Sequence, residues 1–424
     1  MSMTRSWLLV TSLCMILLFT GLLLKNGVLL AVALPYLLFS LTPFWRSMEE
    51  PNLVIERRLE PQYLLSGQPC RVTLSIQNVG NNLEEVFLSD VLPAGLRVEG
   101  NSTYHGMLRA GQTETSLCVV RGVRGKYEFS GVKMLTNDLL GMCWHEKFVP
   151  SPGTLAVLPA MERLESLKIS PRRTRVYTGT IRSRESGAGV EFFGTRAYVS
   201  GDPLRHLNWK AGARWDLLIT NLFEQERVAD VGIILDARSV VEVRANGESL
   251  FEHSIQAAAS LAEYFLREGN RVGLLIYGRM VEWTFPGYGK QQRARILAAL
   301  AKAELGEHAV FKELEHLPTR LFPSESQIVL VSPLLCGDVS MLRYLHALGY
   351  RVLVISPDPI AFEKRCFPQD ECAALAEGIV RMERNATLSK LRRSSVNVVE
   401  WDVTIPLRIP MKQTMVGMKR WSVG

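Results

Sequence analysis

The chain has 424 residues and a formal net charge of +7, long enough for two or three domains with hydrophobic cores of their own. Its seven cysteines are irregularly spaced without a CxxC pair, which argues against a disulfide framework and a structural zinc site of the usual spacing. No helix-turn-helix, zinc-finger or aromatic RNA-binding motif accompanies the basic charge, so we expect a basic face beside an anionic membrane leaflet and no nucleic-acid partner.

Residues 1–46 predict a two-helix transmembrane hairpin. Trp7–Leu24 and Val28–Trp45 are uncharged apolar runs, joined by the polar turn Lys25-Asn26-Gly27. Each run has about the minimum length that crosses a hydrocarbon core. A signal peptide, the alternative, has one shorter apolar run followed by a small-residue cleavage site.

A hairpin places both of its ends on the same side of the membrane. Arg5, Arg46, Arg57 and Arg58 flank the two runs, whereas only Lys25 marks the turn. The positive-inside rule therefore predicts a multi-pass cell-membrane protein with its soluble domains on the cytoplasmic side.

Residues 47–160 predict an antiparallel β-sandwich. The segment 71–77 alternates polar and apolar residues, as a strand with one solvated face does. Short strands and turn signals recur at 86–91, 117–120, 125–129 and 155–158, and no long helical period interrupts them.

Residues 229–407 predict a doubly wound α/β domain, followed by a basic tail at 408–424. Continuous apolar runs at 231–235, 272–277, 328–331 and 352–355 are typical of strands buried on both faces of a parallel sheet. Helical patterns lie between or after them, at 249–268, 290–305, 338–348 and 370–393.

The connector, residues 161–228, is rich in arginine and contains an unusual segment from Arg196 to Arg214. We expect Asp202 to cap a turn or helix start, and Arg205 or Arg214 to close a bidentate pair with Asp202 or Glu191. Two compatible interpretations stay open: an interdomain staple with aromatic core anchors, or a docking patch for an acidic partner. The residues concerned are Glu191, Arg196, Tyr198, Gly201, Asp202, Arg205, Trp209 and Arg214.

The stretch from Gly189 to Arg214 resembles the signature of the "domain of unknown function 58" family. The likeness comprises the Glu-Phe pair, Arg-x-Tyr, Gly-Asp, the following arginine, the tryptophan and Ala-Arg. It continues in 121–127 and 137–142, similar to the closing strands of the family's β domain, and in 384–402, similar to its last helix and strand.

This resemblance implies a C-terminal domain similar to von Willebrand factor type A and a MoxR-type AAA+ ATPase as partner. Type A domains often bind Mg²⁺ through Asp-x-Ser-x-Ser at the end of the first strand. Here Asp236 is followed by Arg238, Ser239 and Val240, and Ser332 stands where a second acid is expected. We therefore expect a degenerate site at Asp236 and Ser239 without metal, with Asp236 contacting Arg238 or capping the loop.

Other chemistries are poorly supported by the residues. Gly287–Lys290 lacks the spacing and the Ser/Thr of a phosphate loop, and is better explained as a turn before a helix. The seven histidines form no HExxH motif and no recognisable nucleophile arrangement. We expect no enzyme activity, cofactor or small-molecule substrate.

These observations predict a membrane-anchored scaffold or adaptor whose type-A-like domain is presented to a protein partner. An outward-facing, metal-dependent adhesion or envelope-binding protein is the alternative. An enzyme acting on envelope precursors would require a polar pocket that the sequence does not reveal.

Overall fold

The computed structural model describes residues 2–3, 5–46, 51–137, 143–165, 175–278, 280–306, 318, 321–366 and 370–421. The chain divides into two compact units, Met1–Leu158 and Pro159–Gly424. The finer five-part division stays a prediction.

The first unit begins with two paired helices, α1 (Arg5–Leu23) and α2 (Gly27–Arg46). Trp7 Nε1 donates to the Ser40 carbonyl oxygen over 3.1 Å, and Cys14 Sγ lies 3.7 Å from the Ala33 carbonyl oxygen. The predicted helical hairpin is therefore present. Within the part of the chain that the structure describes, however, no helix combines the length and hydropathy of a membrane span, so the predicted transmembrane character is not supported.

The rest of the first unit is a β-sandwich. One sheet has the order β1-β10-β9-β5-β7, with β3 parallel to β10, and the other has the order β2-β4-β8-β6. The strands are β1 (Ser2–Met3), β2 (Leu53–Glu60), β3 (Tyr63–Leu65), β4 (Pro69–Asn78), β5 (Leu83–Asp90), β6 (Leu96–Glu99), β7 (Thr103–Leu108), β8 (Thr113–Gly122), β9 (Gly125–Asn137) and β10 (Cys143–Leu158).

Alternate side chains of both sheets meet in the sandwich core. Ile76 of β4 packs in one cluster with Val86 of β5 and Met134 of β9, so residues of both sheets meet in the apolar interior. The alternation at 71–77 predicts β4 for this physical reason: every second side chain is buried. Of the predicted closing segment 137–142, residues 138–142 lie outside the described residues.

A buried ion pair crosses this core. Arg57 donates from Nη1 and Nη2 to the two Asp90 carboxylate oxygens, each over 2.7 Å, and from Nε to the Ser151 carbonyl oxygen over 3.0 Å. Its guanidinium carbon lies 4.5 Å from the Phe129 ring centroid, and both charged side chains are fully shielded from solvent. Counting Arg57 among the charges that flank a membrane was therefore wrong.

The second unit contains a long hairpin and a doubly wound sheet. Strands β11 (Arg175–Ala197) and β12 (Ile219–Val228) are antiparallel, and the short helix α3 (Trp209–Trp215) lies between them in sequence. Residues 171–174 of the arginine-rich connector lie outside the described residues. The side chains of 175–190 lie outside them as well.

The six-stranded sheet has the order β17-β16-β13-β18-β19-β20, parallel except for the antiparallel edge strand β17. Its strands are β13 (Asp230–Asp236), β16 (Arg271–Tyr277), β17 (Val281–Gly287), β18 (Gln327–Val331), β19 (Arg351–Pro357) and β20 (Asn397–Trp401). A separate two-stranded ribbon pairs β14 (Arg244–Ala245) with β15 (Glu248–Ser249). All seven residues of β13 are buried, as expected for a strand covered on both faces.

The four predicted helical segments are present as α4, α5, α6 and α8, whereas α7 was not predicted and the expected basic tail forms helix α9 through residue 421. The helices are α4 (Leu250–Arg267), α5 (Gly289–Lys302), α6 (Asp338–Ala347), α7 (Pro359–Glu363), α8 (Glu371–Arg393) and α9 (Arg408–Trp421).

Asp90→Asn should destabilise the protein by about 3–5 kcal/mol, because it leaves the Arg57 charge buried without its counter-ion. Chemical denaturation of wild type, Asp90→Asn and a control variant measures this loss of stability. Glu99→Gln, which weakens the half-exposed pair between Arg121 and Glu99, serves as the control and should cost less than about 1 kcal/mol. Equal losses for the two variants would contradict the assignment of the Arg57 pair as a core element.

Candidate functional site

The Arg196–Arg214 segment begins with a tight turn that Asp202 organises. The Asp202 carboxylate accepts hydrogen bonds from the Val199 amide over 3.0 Å and from Arg196 Nη2 over 2.7 Å. Gly201 has a φ of 108°, a backbone conformation that glycine adopts without strain. The Val199 hydrogen bond, followed by the interaction with Arg196, holds the pKa of Asp202 below its usual range.

Of the two roles expected for Asp202, it caps a turn, and the helix of this segment is capped by Asn208 instead. Asn208 precedes α3, and its side-chain oxygen accepts from the Ala211 amide over 3.0 Å. A separate 3₁₀ turn, Leu204–His206, stands between Asp202 and α3, so the carboxylate caps only its own turn. Among the described residues, the Asp202 carboxylate forms its ion pair with Arg196, which closes the same turn. It does not pair with Arg205 or Arg214.

The aromatic residues of the segment differ in their surroundings. Tyr198 is half-buried, and its amide donates to the Leu218 carbonyl oxygen over 2.8 Å, which joins the two arms of the hairpin. Trp209 is 70% exposed and Trp215 is 71% exposed. Trp209 is therefore not a core anchor of the described chain. Glu191 belongs to β11, and its side chain lies outside the described residues.

Exposed apolar and cationic side chains lie together in sequence on this segment. We call the set the signature surface: Leu204, Arg205, Trp209, Lys210, Arg214, Trp215, Leu217 and Leu218, all exposed. No ion pair joins its three cations to an acid among the described residues. Apolar side chains exposed in such density are typical of binding surfaces.

A second candidate lies at the carboxyl end of the parallel sheet. Arg238 Nε and Nη2 donate to the two Asp236 oxygens over 2.8 and 2.7 Å, and Nη1 and Nη2 donate to the two Asp338 oxygens over 3.1 and 2.8 Å. Ser332 Oγ donates to Asp236 Oδ2 over 2.7 Å. Asp236, Arg238, Ser332 and Asp338 are all at most 2% exposed. We call these four residues the arginine cluster.

The charges of this cluster stabilise one another. Burial lowers the pKa of Arg238, but the hydrogen bonds and charges of Asp236 and then Asp338 outweigh it and raise the pKa above its ordinary value. Burial raises the pKa of the neighbouring Tyr277 to about 12. The guanidinium thus stays charged between the two carboxylates.

The cluster does not fit the divalent cation that type A domains often bind at this position. Both carboxylates already bind the guanidinium, and Ser239 lies in a 3₁₀ turn, where its amide donates to the Gly306 carbonyl oxygen over 3.2 Å. The Asp236 carboxylate also accepts from the Arg238 amide over 3.2 Å, so it caps its own loop. No group of three or more His, Cys, Asp and Glu residues suitable for a metal occurs within the described ranges.

Sequence reasoning missed two residues of this sheet edge. Asp338 begins α6, and its contact with Arg238 spans 100 positions of sequence. Arg384 of α8 donates to the Pro333 carbonyl oxygen over 2.7 Å and to Ser356 Oγ over 2.8 Å. For Asp338 the sequence offered one signal: an acid at the start of a predicted helix, after a strand that pairs with β13.

Two further features considered in the sequence, Gly287–Lys290 and His206, occupy structural positions in the fold. Gly287–Lys290 is the turn that leads from β17 into α5, which begins at Gly289. His206 is half-buried, with its ring edge against Phe223 at a centroid distance of 4.9 Å. Neither arrangement places a nucleophile beside a base.

Solved structures resemble parts of the chain only weakly. The structure of native alpha-2-macroglobulin from Escherichia coli, from domain MG7 to the C-terminus, is 20% identical with a TM-score of 0.24, and covers 27% of this chain and 18% of that one. The CARDB domain of the PF1109 protein from Pyrococcus furiosus is 11% identical with a TM-score of 0.19, and covers 26% and 89%. No functional inference follows from such scores.

Sequence comparisons point to one family. The "Uncharacterized protein YeaD" of Bacillus subtilis (strain 168) is 27% identical over 164 residues, which cover 38% of each chain. This chain thus matches well under half of that relative's length. Residues 194–365 match the family model "Protein of unknown function DUF58", a range that begins within the signature and extends past β19. The predicted resemblance is confirmed over residues 194–365, which match the DUF58 family model.

Proposed function

We propose that this protein is a membrane-anchored, non-enzymatic adaptor whose signature surface docks an acidic protein partner. The observation that carries the proposal is the exposure of Trp209 and Trp215 within the same short stretch of chain as three exposed cations. Tryptophan and arginine are the residues that most often dominate protein interfaces. The family resemblance suggests a MoxR-type AAA+ ATPase as the partner.

The signature surface is held on a defined support. The turn closed by Arg196 and Asp202 precedes it, and the Asn208 cap fixes the start of α3. Asn208 Nδ2 also donates to Asn221 Oδ1 over 2.9 Å, which ties the cap to β12. Such a support reduces the entropy that docking would otherwise cost.

The α/β unit supports a type-A-like domain in this proposal. Its first strand, β13, lies centrally with β16 on one side and β18 on the other, and its last residue is Asp236. The arginine cluster favours the adaptor over a metal-dependent adhesion protein, because Arg238 occupies both carboxylates that would ligate a metal. The same contacts leave neither acid available as a general base.

The helical hairpin supports membrane attachment. Leu9, Phe19 and Leu23 of α1 expose about two thirds or more of their surface, at 70, 68 and 71%. Side chains of this kind bury favourably in a lipid phase. In this proposal the two soluble domains lie on the cytoplasmic side.

Trp209→Ala and Arg205→Glu, each in the full chain, should weaken capture of a MoxR-type ATPase from the same genome at least about tenfold. Purified protein immobilised in detergent and titrated with the ATPase measures this change. The matched controls are Phe285→Ala, which truncates a 73% exposed aromatic residue, and Arg343→Glu on α6; both should bind as wild type does. Equal binding by all five proteins would refute the docking surface.

Replacing Leu9, Phe19 and Leu23 together by lysine should release the protein from membranes, since a lysine costs roughly 2.5–3.5 kcal/mol at a bilayer centre and less towards the ends of a helix. Fractionation of cells after carbonate washing measures the shift from pellet to supernatant. Val123→Lys, at a 67% exposed position of the sandwich, should leave the distribution unchanged. A reporter fused after Gly424 that is active only outside the cell would contradict the cytoplasmic orientation.

A further inference from the structure

The arginine cluster lies where a doubly wound sheet ordinarily binds ligands. From β13 the chain continues to β16 on one side, and β18, β19 and β20 follow on the other, so the strand order reverses between β13 and β18. Asp236 ends β13 and Ser332 directly follows β18. The crevice at such a reversal is the usual ligand site of this architecture.

This crevice contains the donor set of a hard-cation site. Two carboxylates and one hydroxyl converge there, from Asp236, Asp338 and Ser332. Oxygen ligands of this type are those that Mg²⁺ and Ca²⁺ prefer. The only positive group among the four cluster residues is the Arg238 guanidinium, which contacts both carboxylates and leaves the cluster with a formal charge of −1.

We propose that Arg238 is the resident cation of this crevice, so that the site is a divalent-cation site whose cation is a side chain of the chain itself. In wild-type protein the guanidinium pairs with both acids and closes the crevice to metal. Removing it opens a latent site in which Asp236, Asp338 and Ser332 bind Mg²⁺ or Ca²⁺, with water completing the coordination. The proposal is independent of the docking function.

The neighbouring Arg384 shows what an ordinary buried arginine looks like at the same sheet edge. It donates to the carbonyl oxygens of Pro333 and Pro357 and to the Ser356 hydroxyl, over 2.7–3.1 Å. Its carboxylate neighbour, Asp358, is 3.7 Å away. Burial lowers the pKa of Arg384, opposite to the shift at Arg238. Arg384 therefore provides a matched control, with a side chain only 10% exposed but not held by two acids.

The experiment measures the melting temperature of the full chain in detergent, with and without millimolar MgCl₂ or CaCl₂ and at matched ionic strength. Wild type should be unaffected by either salt. Arg238→Ser should melt at least about 6 °C lower and regain most of the loss with a saturable dependence on Mg²⁺ or Ca²⁺. The double variant Arg238→Ser, Asp338→Asn should lose the response, and Arg384→Ser should melt lower without any rescue by Mg²⁺.

A destabilised Arg238→Ser protein that neither cation rescues would overturn the proposal, as would equal rescue of Arg384→Ser. If Arg238→Ser fails to fold, Arg238→Lys and Arg238→Gln decide the matter. A resident cation requires the lysine variant, which keeps the charge, to melt well above the glutamine variant. Equal melting temperatures for those two variants would overturn it.

Discussion

The bidentate contacts of Arg238 with Asp236 and Asp338 join elements that are distant in sequence. Through them the end of β13 is tied to the start of α6, and Ser332 adds the end of β18. β13 and β18 are the central strands of the parallel sheet, so one guanidinium links the middle of its carboxyl edge to α6. Desolvating three charged groups is expensive, and only complete pairing offsets that cost.

The two units use the same device for different purposes. In the sandwich, Arg57 pairs with Asp90 across an apolar core and stacks on Phe129. In the α/β unit the guanidinium fills the place where such folds bind ligands. The Arg196–Asp202 pair of the signature is different again, because it is partly exposed and shapes a turn rather than a core. Burial, more than the residue types, separates these three roles.

The sequence predicted the strands and helices that depend on local patterns of apolar and polar residues. Continuous apolar runs identified the parallel strands, because strands buried on both faces need no polar residues, and helical periodicity located α4, α5, α6 and α8. It could not place Asp338 beside Arg238, since that contact depends on the packing of α6 against the finished sheet. Because composition does not tell whether a side chain is buried or exposed, the sequence also could not show that Arg57 lies in a core or that Trp209 is exposed.

The signature surface is exposed, whereas the arginine cluster at the carboxyl edge of the sheet is buried. The crevice at the sheet edge contains the Arg238 side chain and leaves little surface for a partner. Trp209, Trp215 and Leu217, which precede the sheet in sequence, are exposed to solvent. Exposing such side chains favours aggregation unless a partner or another surface covers them. A turn fixed by Asp202 and a helix capped by Asn208 hold that apolar surface in one conformation. In the proposed function, partner recognition therefore takes place at this hairpin, which precedes the doubly wound sheet in sequence.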